Sequence, residues 1–226
     1  MKVYNTLTKN KEELIPLDNK TIRMYSCGPT VYSYAHIGNM KAFLFMDFLK
    51  RSLNYLGYKV KSVMNITDVG HLVSDSDEGE DKMLKTAKNS NMTPWDIASI
   101  YTDAFLNDIG KLNIHRPNVL CKASEHINEM LDMVNRLYDD GYAYETSDGI
   151  YFDISKFPDY GKLSNLDLEG QIAGARVAIN TEKKHPADFA IWKKAPKEHI
   201  MQWESRWGMG YPGWHIECSA MSRKYL

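Results

Sequence analysis

Met40–Ile66, MKAFLFMDFLKRSLNYLGYKVKSVMNI, carries two periodicities in succession. Its first part places apolar residues at Met40, Phe43, Leu44, Phe48, Leu49, Leu53 and Leu56, the spacing of one helix face, and Gly57 supplies a left-handed stop. Its second part, Lys59–Ile66, alternates apolar with polar and predicts a strand. Upstream, Thr21–Cys27 predicts a short strand with apolar side chains at Ile22 and Met24. Strand, long helix and strand within about 45 residues make a βαβ unit, the building block of a parallel sheet. Ligands of such sheets sit beyond the carboxyl ends of the strands, near helix N-termini. Two segments fall at such ends: SCGPTVYSYAHIGN (Ser26–Asn39) and NITDVGH (Asn65–His71).

Further along, Thr93-Pro94-Trp95-Asp96 opens a helix, with Thr93 as cap and Pro94 in the first helical position, running to about Lys111. A second helix starts at Ser124, sets Ile127, Met130, Leu131, Val134, Leu137 and Tyr138 on one face, and stops near Gly141. YAYETSDGIYFDI (Tyr142–Ile154) then predicts two short aromatic strands around a Ser147-Asp148-Gly149 turn. A helix, a hairpin and long polar loops do not continue a βαβ series. They predict a module inserted over residues 117–203, after which GYPGWHIECSAM (Gly210–Met221) reads as a loop and helix returning to the first domain.

The expected fold class is therefore α/β, a Rossmann-like parallel-sheet domain with an inserted α+β module. Its parts are residues 1–116 (first half of the parallel-sheet domain), 117–203 (the module) and 204–226 (the return). The closing ECSAMSRKYL reads as a helix in progress, with no glycine stop or polar tail, so the expectation is a piece of a longer polypeptide.

With 226 residues, 43% apolar and 25% charged, the composition is that of an ordinary globular protein. A net charge of −1 leaves no global basic field, so any nucleic acid would meet a local patch or another domain. No segment carries 18 uncharged apolar residues, and MKVYNTLTKNKEEL lacks the apolar core of a signal peptide. Those features predict a cytoplasmic protein without a membrane partner, whose thiols stay reduced. Three cysteines, Cys27, Cys121 and Cys218, cannot form a complete set of disulfides and read as thiols or metal ligands.

His36 and Gly38 open a helix, where the positive end of the helix dipole and an uncrowded backbone suit nucleotide phosphates. A lone His-x-Gly is more often a capping or core histidine, and two distant thiols with no local partner are more often core residues. Gly208-Met-Gly-Tyr-Pro-Gly213 fits the letters of the dinucleotide fingerprint, but it lacks a preceding apolar strand and holds Pro212 in its turn. SDSDEGEDK (Ser74–Lys82) hints at a calcium loop, yet Gly79 falls where a ligand is needed; a solvated acidic loop is expected instead.

Taken together, CGPTVY…HIGN, NITDV, AGARV and GWHIECSAM resemble the cysteinyl-tRNA synthetases, a family of class I aminoacyl-tRNA synthetases, over nearly the whole chain. The resemblance implies ATP-dependent activation of L-cysteine to cysteinyl-adenylate and transfer to tRNA(Cys), by a monomer. It assigns His36, Gly38 and Asn39 to catalysis, with Asn39 standing where the family has a histidine. It places Gly28, Thr30, Thr67 and Trp214 around the substrates, with Trp214 as a wall of the cysteine pocket. It makes Cys27 and Cys218 ligands of one Zn²⁺, the remaining ligands lying beyond Leu226, with Mg²⁺ accompanying ATP. His215 forms a His-x-x-Cys pair with Cys218 but ranks behind those distant ligands, and Cys121 is structural. Gly70-His71 departs from the two aspartates common in the family, and His71 receives no catalytic role. Two alternatives stay open: a cysteine ligase that acts on an amino sugar, which YNTLTKNKEE (Tyr4–Glu13) disfavours, and a non-catalytic nucleotide- or RNA-binding fragment.

Overall fold

The computed structural model describes residues 1–18, 21–69, 92–163 and 181–226. Gly70-His71, the Ser74–Lys82 loop and AGARV (Ala173–Val177) lie outside the described residues.

Lys2–Asn5 (β1) and Asn10–Glu13 (β2) form an antiparallel hairpin. The central layer is a parallel sheet ordered β3-β4-β5, built from Thr21–Ser26, Lys59–Ile66 and Val119–Lys122. Register runs from Thr21 opposite Lys59 to Ser26 opposite Met64, then from Val63 opposite Val119 to Ile66 opposite Lys122. The expected βαβ unit is present, with α1 (Ile37–Tyr55) joining β3 to β4. Gly57 ends that helix as expected: its φ is +86°, its N–H donates to Asn54 O, and Tyr58 N–H donates to Leu53 O.

The inward face of α1 differs from the periodic reading at one position. Met40, Phe43 and Leu53 are buried, but Phe48 is 69% exposed and Asp47 points inward in its place. Asp47 tolerates burial because Arg51 Nε donates to it at 2.7 Å and the His115 backbone N–H at 3.2 Å. The second strand also departs from simple alternation, since β4 is buried continuously from Ser62 to Ile66. Such burial belongs to a parallel strand covered on both faces. Met64 and Ile66 meet Met40 and Phe43 of α1 and Ile97, Phe105 and Ile109 of α2 (Pro94–Lys111). On the other face Val63 meets Met130 and Val134 of α3 (Ile127–Asp139) and Ile216, Ala220 and Met221 of α4 (Ile216–Tyr225).

Thr93 caps α2 as expected, in a reciprocal box with Asp96. The helix expected from Ser124 begins instead with a 3₁₀ turn, Ala123–His126. Asp68, at the end of β4, accepts from Ser124 N–H (2.8 Å) and Oγ–H (2.6 Å), and the α3 ladder starts only beyond that turn.

A second, antiparallel sheet has the order β6-β7-β8-β10-β9, from Ala143–Glu145, Gly149–Phe152, Phe189–Lys194, Gly208–Pro212 and Trp203–Ser205. The hairpin expected around Ser147-Asp148-Gly149 is β6–β7. Gly208–Pro212, expected as loop, is a strand pairing β8 and β9. A Cβ on Gly210 would fall 2.2 Å from Trp192 Nε1, so this glycine lets two strands and an indole meet closely. The dinucleotide-like letters are thus accounted for by sheet packing. Among the described residues, no helix is long and apolar enough to cross a membrane.

Candidate active site

At its carboxyl end β3 breaks away from its neighbour. The ladder ends at Ser26 opposite Met64 and resumes, four residues further along one strand and three along the other, as a bridge between Thr30 and Thr67, with Thr67 N–H donating to Pro29 O (3.0 Å) and Val31 N–H to Thr67 O (3.1 Å). In the gap, Gly28 N–H donates to the Asn65 side chain (3.1 Å) and not to a backbone carbonyl. The approach is close enough that a Cβ on Gly28 would lie 1.7 Å from Asn65 O. Cys27 sits in this break. Cys218 comes in from the first turn of α4, and the two sulfurs are 3.3 Å apart although 191 residues separate them.

The two thiols share a proton unequally. The hydrogen bond from Cys218 draws the Cys27 thiol down to about 6, against the opposing effect of burial. Cys218 is pushed up, first by holding the proton of that bond and then by burial. Cys121, the third thiol, is buried, donates to Met64 O at 3.6 Å and is raised by burial to about 11. In the metal-free protein, iodoacetamide at pH 7 is therefore expected to label Cys27 at least tenfold faster than Cys121, as followed by peptide mass spectrometry. Labelling of Cys121 at the rate of Cys27 would contradict this assignment.

Does the pair suit a metal? Zinc–thiolate bonds of ≈ 2.3 Å in tetrahedral geometry put two sulfurs about 3.8 Å apart, so the observed pair needs to open by only about half an ångström. Soft sulfur donors with one already drawn toward thiolate match zinc. Among the described residues, no third His, Cys, Asp or Glu joins them as a metal-holding group. The His215 ring lies edge-on to Phe189 (5.1 Å) and Trp214 (5.6 Å). Among the described residues, the pair thus brings two sulfur donors together.

The HIGN segment forms the N-terminus of α1. His36 is the cap: its Nδ1 accepts from Gly38 N–H (3.1 Å), and Asn39 Oδ1 accepts from His36 N–H (3.0 Å). Capping by histidine, the commoner reading of a lone His-x-Gly, is thus observed. It does not use up the ring, because a neutral imidazole that accepts at Nδ1 carries its proton on Nε2. His36, Gly38 and Asn39 are all exposed, so this helix end faces solvent. Asn39 closes the capping box, a task open to an asparagine amide as well as to a histidine.

Thr67 is buried; its Oγ accepts from Asn65 Nδ2 (2.9 Å), and its hydroxyl also bonds Glu217. Thr30 is half-buried in the bridge to Thr67. Trp214 is half-buried and anchored through its backbone N–H to Ala190 O (2.7 Å).

Sequence reading missed three polar residues here. Asn65 is 1% exposed, Asp68 4% and Glu217 5%. Burial raises the Glu217 carboxyl to about 8, the neighbouring Asp68 and Cys27 adding to the effect, and no partner reaches its Oε1 among the described residues. The available signal was a polar residue inside an apolar run, in VMNI and WHIEC.

Residues 13–226 match the family described as tRNA synthetases class I (C) catalytic domain. That span is nearly the whole chain, and the chain belongs to this family. The curated relatives narrow the class. A Cysteine--tRNA ligase of Treponema denticola is 51% identical, covering 100% of this chain and 46% of its own length. Cysteine--tRNA ligases of Chlorobium luteolum (49% identical, 99% of this chain, 47% of theirs) and Deinococcus radiodurans (46%, 99% and 45%) are similar. The chain thus spans about half the length of the curated relatives it matches. Among solved structures, Mycobacterium tuberculosis methionyl-tRNA synthetase in complex with methionyl-adenylate aligns over 60% of this chain and 25% of that one, at TM-score 0.49 and 15% identity, too distant to carry an argument.

Proposed function

We propose that the protein containing this chain activates L-cysteine with ATP to cysteinyl-adenylate and passes the cysteinyl group to the 3′ end of tRNA(Cys), as a cytoplasmic monomer. One observation carries the reading: two thiols from opposite ends of the chain meet at 3.3 Å beside the carboxyl edge of the parallel sheet. Cys27 and Cys218 would hold a zinc ion, which when bound supplies a soft Lewis acid that prefers a substrate thiolate to an alcohol. Shape alone would separate cysteine from serine by only about 10–200-fold. In this reading Trp214 walls the amino-acid pocket, Gly28 and Thr30 shape the floor between the strands, and Thr67 steadies that floor.

The cysteine carboxylate attacks the α-phosphorus of ATP, the new O–P bond forms and pyrophosphate leaves, with Mg²⁺ accompanying the nucleotide. His36 Nε2–H and the α1 N-terminus steady the phosphates as charge moves onto the leaving group. Positioning and charge stabilisation carry the step, without a covalent nucleophile. Residues 117–203 are proposed to form the connective module, with β5 at its start paired into the parallel sheet and β10 beyond its end paired into the antiparallel one.

Gly38→Ala tests the placement of the imidazole, since the added Cβ would come 2.9 Å from His36 Cε1. Cysteine-dependent pyrophosphate exchange is expected to fall on the order of 10²-fold through ring displacement, with the melting temperature unchanged or raised. Full exchange in that variant would remove His36 from the reaction. The function itself is tested in the full-length protein by cysteine-dependent pyrophosphate exchange followed by tRNA(Cys) charging. Exchange without charging would assign the cysteinyl group to another acceptor, and absence of both would overturn the proposal.

A further inference from the structure

We infer that Asn65 is the positioning residue of the thiol site, its carboxamide tying the Cys27–Gly28 break, the Thr67 hydroxyl and the Cys218 sulfur into one fixed arrangement. This rests on the metal reading proposed above.

Asn65 lies near the end of β4 and is fully buried. Its oxygen accepts from Tyr25 O–H (3.1 Å) and from Gly28 N–H (3.1 Å), and the Cys218 sulfur lies 3.8 Å from the same atom. Its nitrogen donates to Thr67 Oγ (2.9 Å). The orientation of the amide follows from chemistry alone. A backbone N–H can only donate, so the oxygen must face Gly28 and the nitrogen must face Thr67. One rigid planar group therefore reaches the ends of β3 and β4 and the first turn of α4.

The donor count around that oxygen is also informative. An amide oxygen has two lone pairs, and the Tyr25 O–H and Gly28 N–H fill them, while the Cys218 sulfur stands 3.8 Å from the same atom. The carboxamide is therefore satisfied without a proton from Cys218. Groups that orient ligands from behind in this way typically govern metal affinity by about 10–100-fold.

The test uses full-length protein loaded with cobalt(II), whose thiolate charge-transfer band counts sulfur ligands and whose ligand-field bands report geometry. Asn65→Leu, of similar size but without hydrogen bonds, is expected to bind cobalt about 10–100-fold more weakly, with shifted ligand-field bands and an unchanged circular dichroism spectrum. If Asn65→Leu does not fold, Asn65→Ser, too short to reach Gly28 and Thr67 together, is read in the same way. Ser62→Ala, which removes a different buried polar group of β4, a hydroxyl that donates to Asn118 (2.9 Å), is expected to keep wild-type affinity. Wild-type affinity and spectrum in the Asn65 variant, or an equal loss in Ser62→Ala, would overturn the inference while the metal reading stands. A wild-type protein without any thiolate–cobalt band would instead sink the metal reading, and this inference with it.

Discussion

Full-length protein carrying Cys27→Ser or Cys218→Ser is expected to lose zinc and cysteine activation together. A serine hydroxyl stays protonated at neutral pH and is a harder, poorer donor for zinc, so each change removes one of the two sulfurs that stand 3.3 Å apart. The loss in zinc affinity should exceed the roughly 10–100-fold typical of changes behind a ligand. Any residual activity should separate cysteine from serine by no more than the about 10–200-fold that shape allows. Native mass spectrometry reads the metal, and pyrophosphate exchange with each amino acid reads discrimination. Cys121→Ser is the matched control: Cys121 is buried against Met64 O, and a hydroxyl there can make the same bond. It should keep both metal and exchange. Normal zinc content and normal discrimination in Cys27→Ser would end the assignment of the thiol pair.

Gly28→Ala is expected to be the most damaging single methyl in the site. Its Cβ would stand 1.7 Å from Asn65 O, 2.9 Å from Asn65 C and 3.0 Å from Met64 Cγ. Two of those are backbone atoms of a buried strand and cannot rotate aside. The strands must separate, which strains packing and breaks the Gly28 N–H bond to Asn65. Overpacking costs about 1–3 kcal/mol and an orphaned part-buried donor up to a similar amount, so a loss of about 2–6 kcal/mol is expected. For a chain of this size that is a drop of at least about 4 °C in melting temperature. Gly110→Ala, with nothing within 4 Å of its added Cβ inside α2, should instead stabilise by about 0.5–1 kcal/mol. Equal melting temperatures for the two variants would show that the close approach at Gly28 is not a constraint.

Which features were readable beforehand follows from how far apart the interacting groups lie. The stop at Gly57, the cap at Thr93 and the β6–β7 turn depend on bonds spanning a few residues, and all three stand where local spacing placed them. Phe48 was expected inside and lies outside, because Asp47 is accommodated by His115, 68 residues away. Gly208–Pro212 was expected as loop and is a strand, because its pairing partner β8 supplies the hydrogen bonds. Glycine-rich letters alone do not reveal that the space is needed for an indole.

At the site, the histidine cap was a matter of spacing, since the capping bonds of His36, Gly38 and Asn39 span only two or three residues. The pairing of Cys27 with Cys218 was available from family likeness and not from spacing. The burial of Asn65 was hinted at by its place in an apolar run, but its role was not legible, because its partners come from positions 25, 28, 67 and 218.

By itself, then, the amino-acid order determined the βαβ unit, the helix ends and the composition of the thiol and HIGN segments, since periodicity and capping act within one or two turns. Only the folded chain decided which sulfurs meet, which carboxamide holds them and which glycine must stay bare. Those contacts join strands and helices far apart in sequence, and the free energy that selects them comes from burial shared across both faces of the parallel sheet.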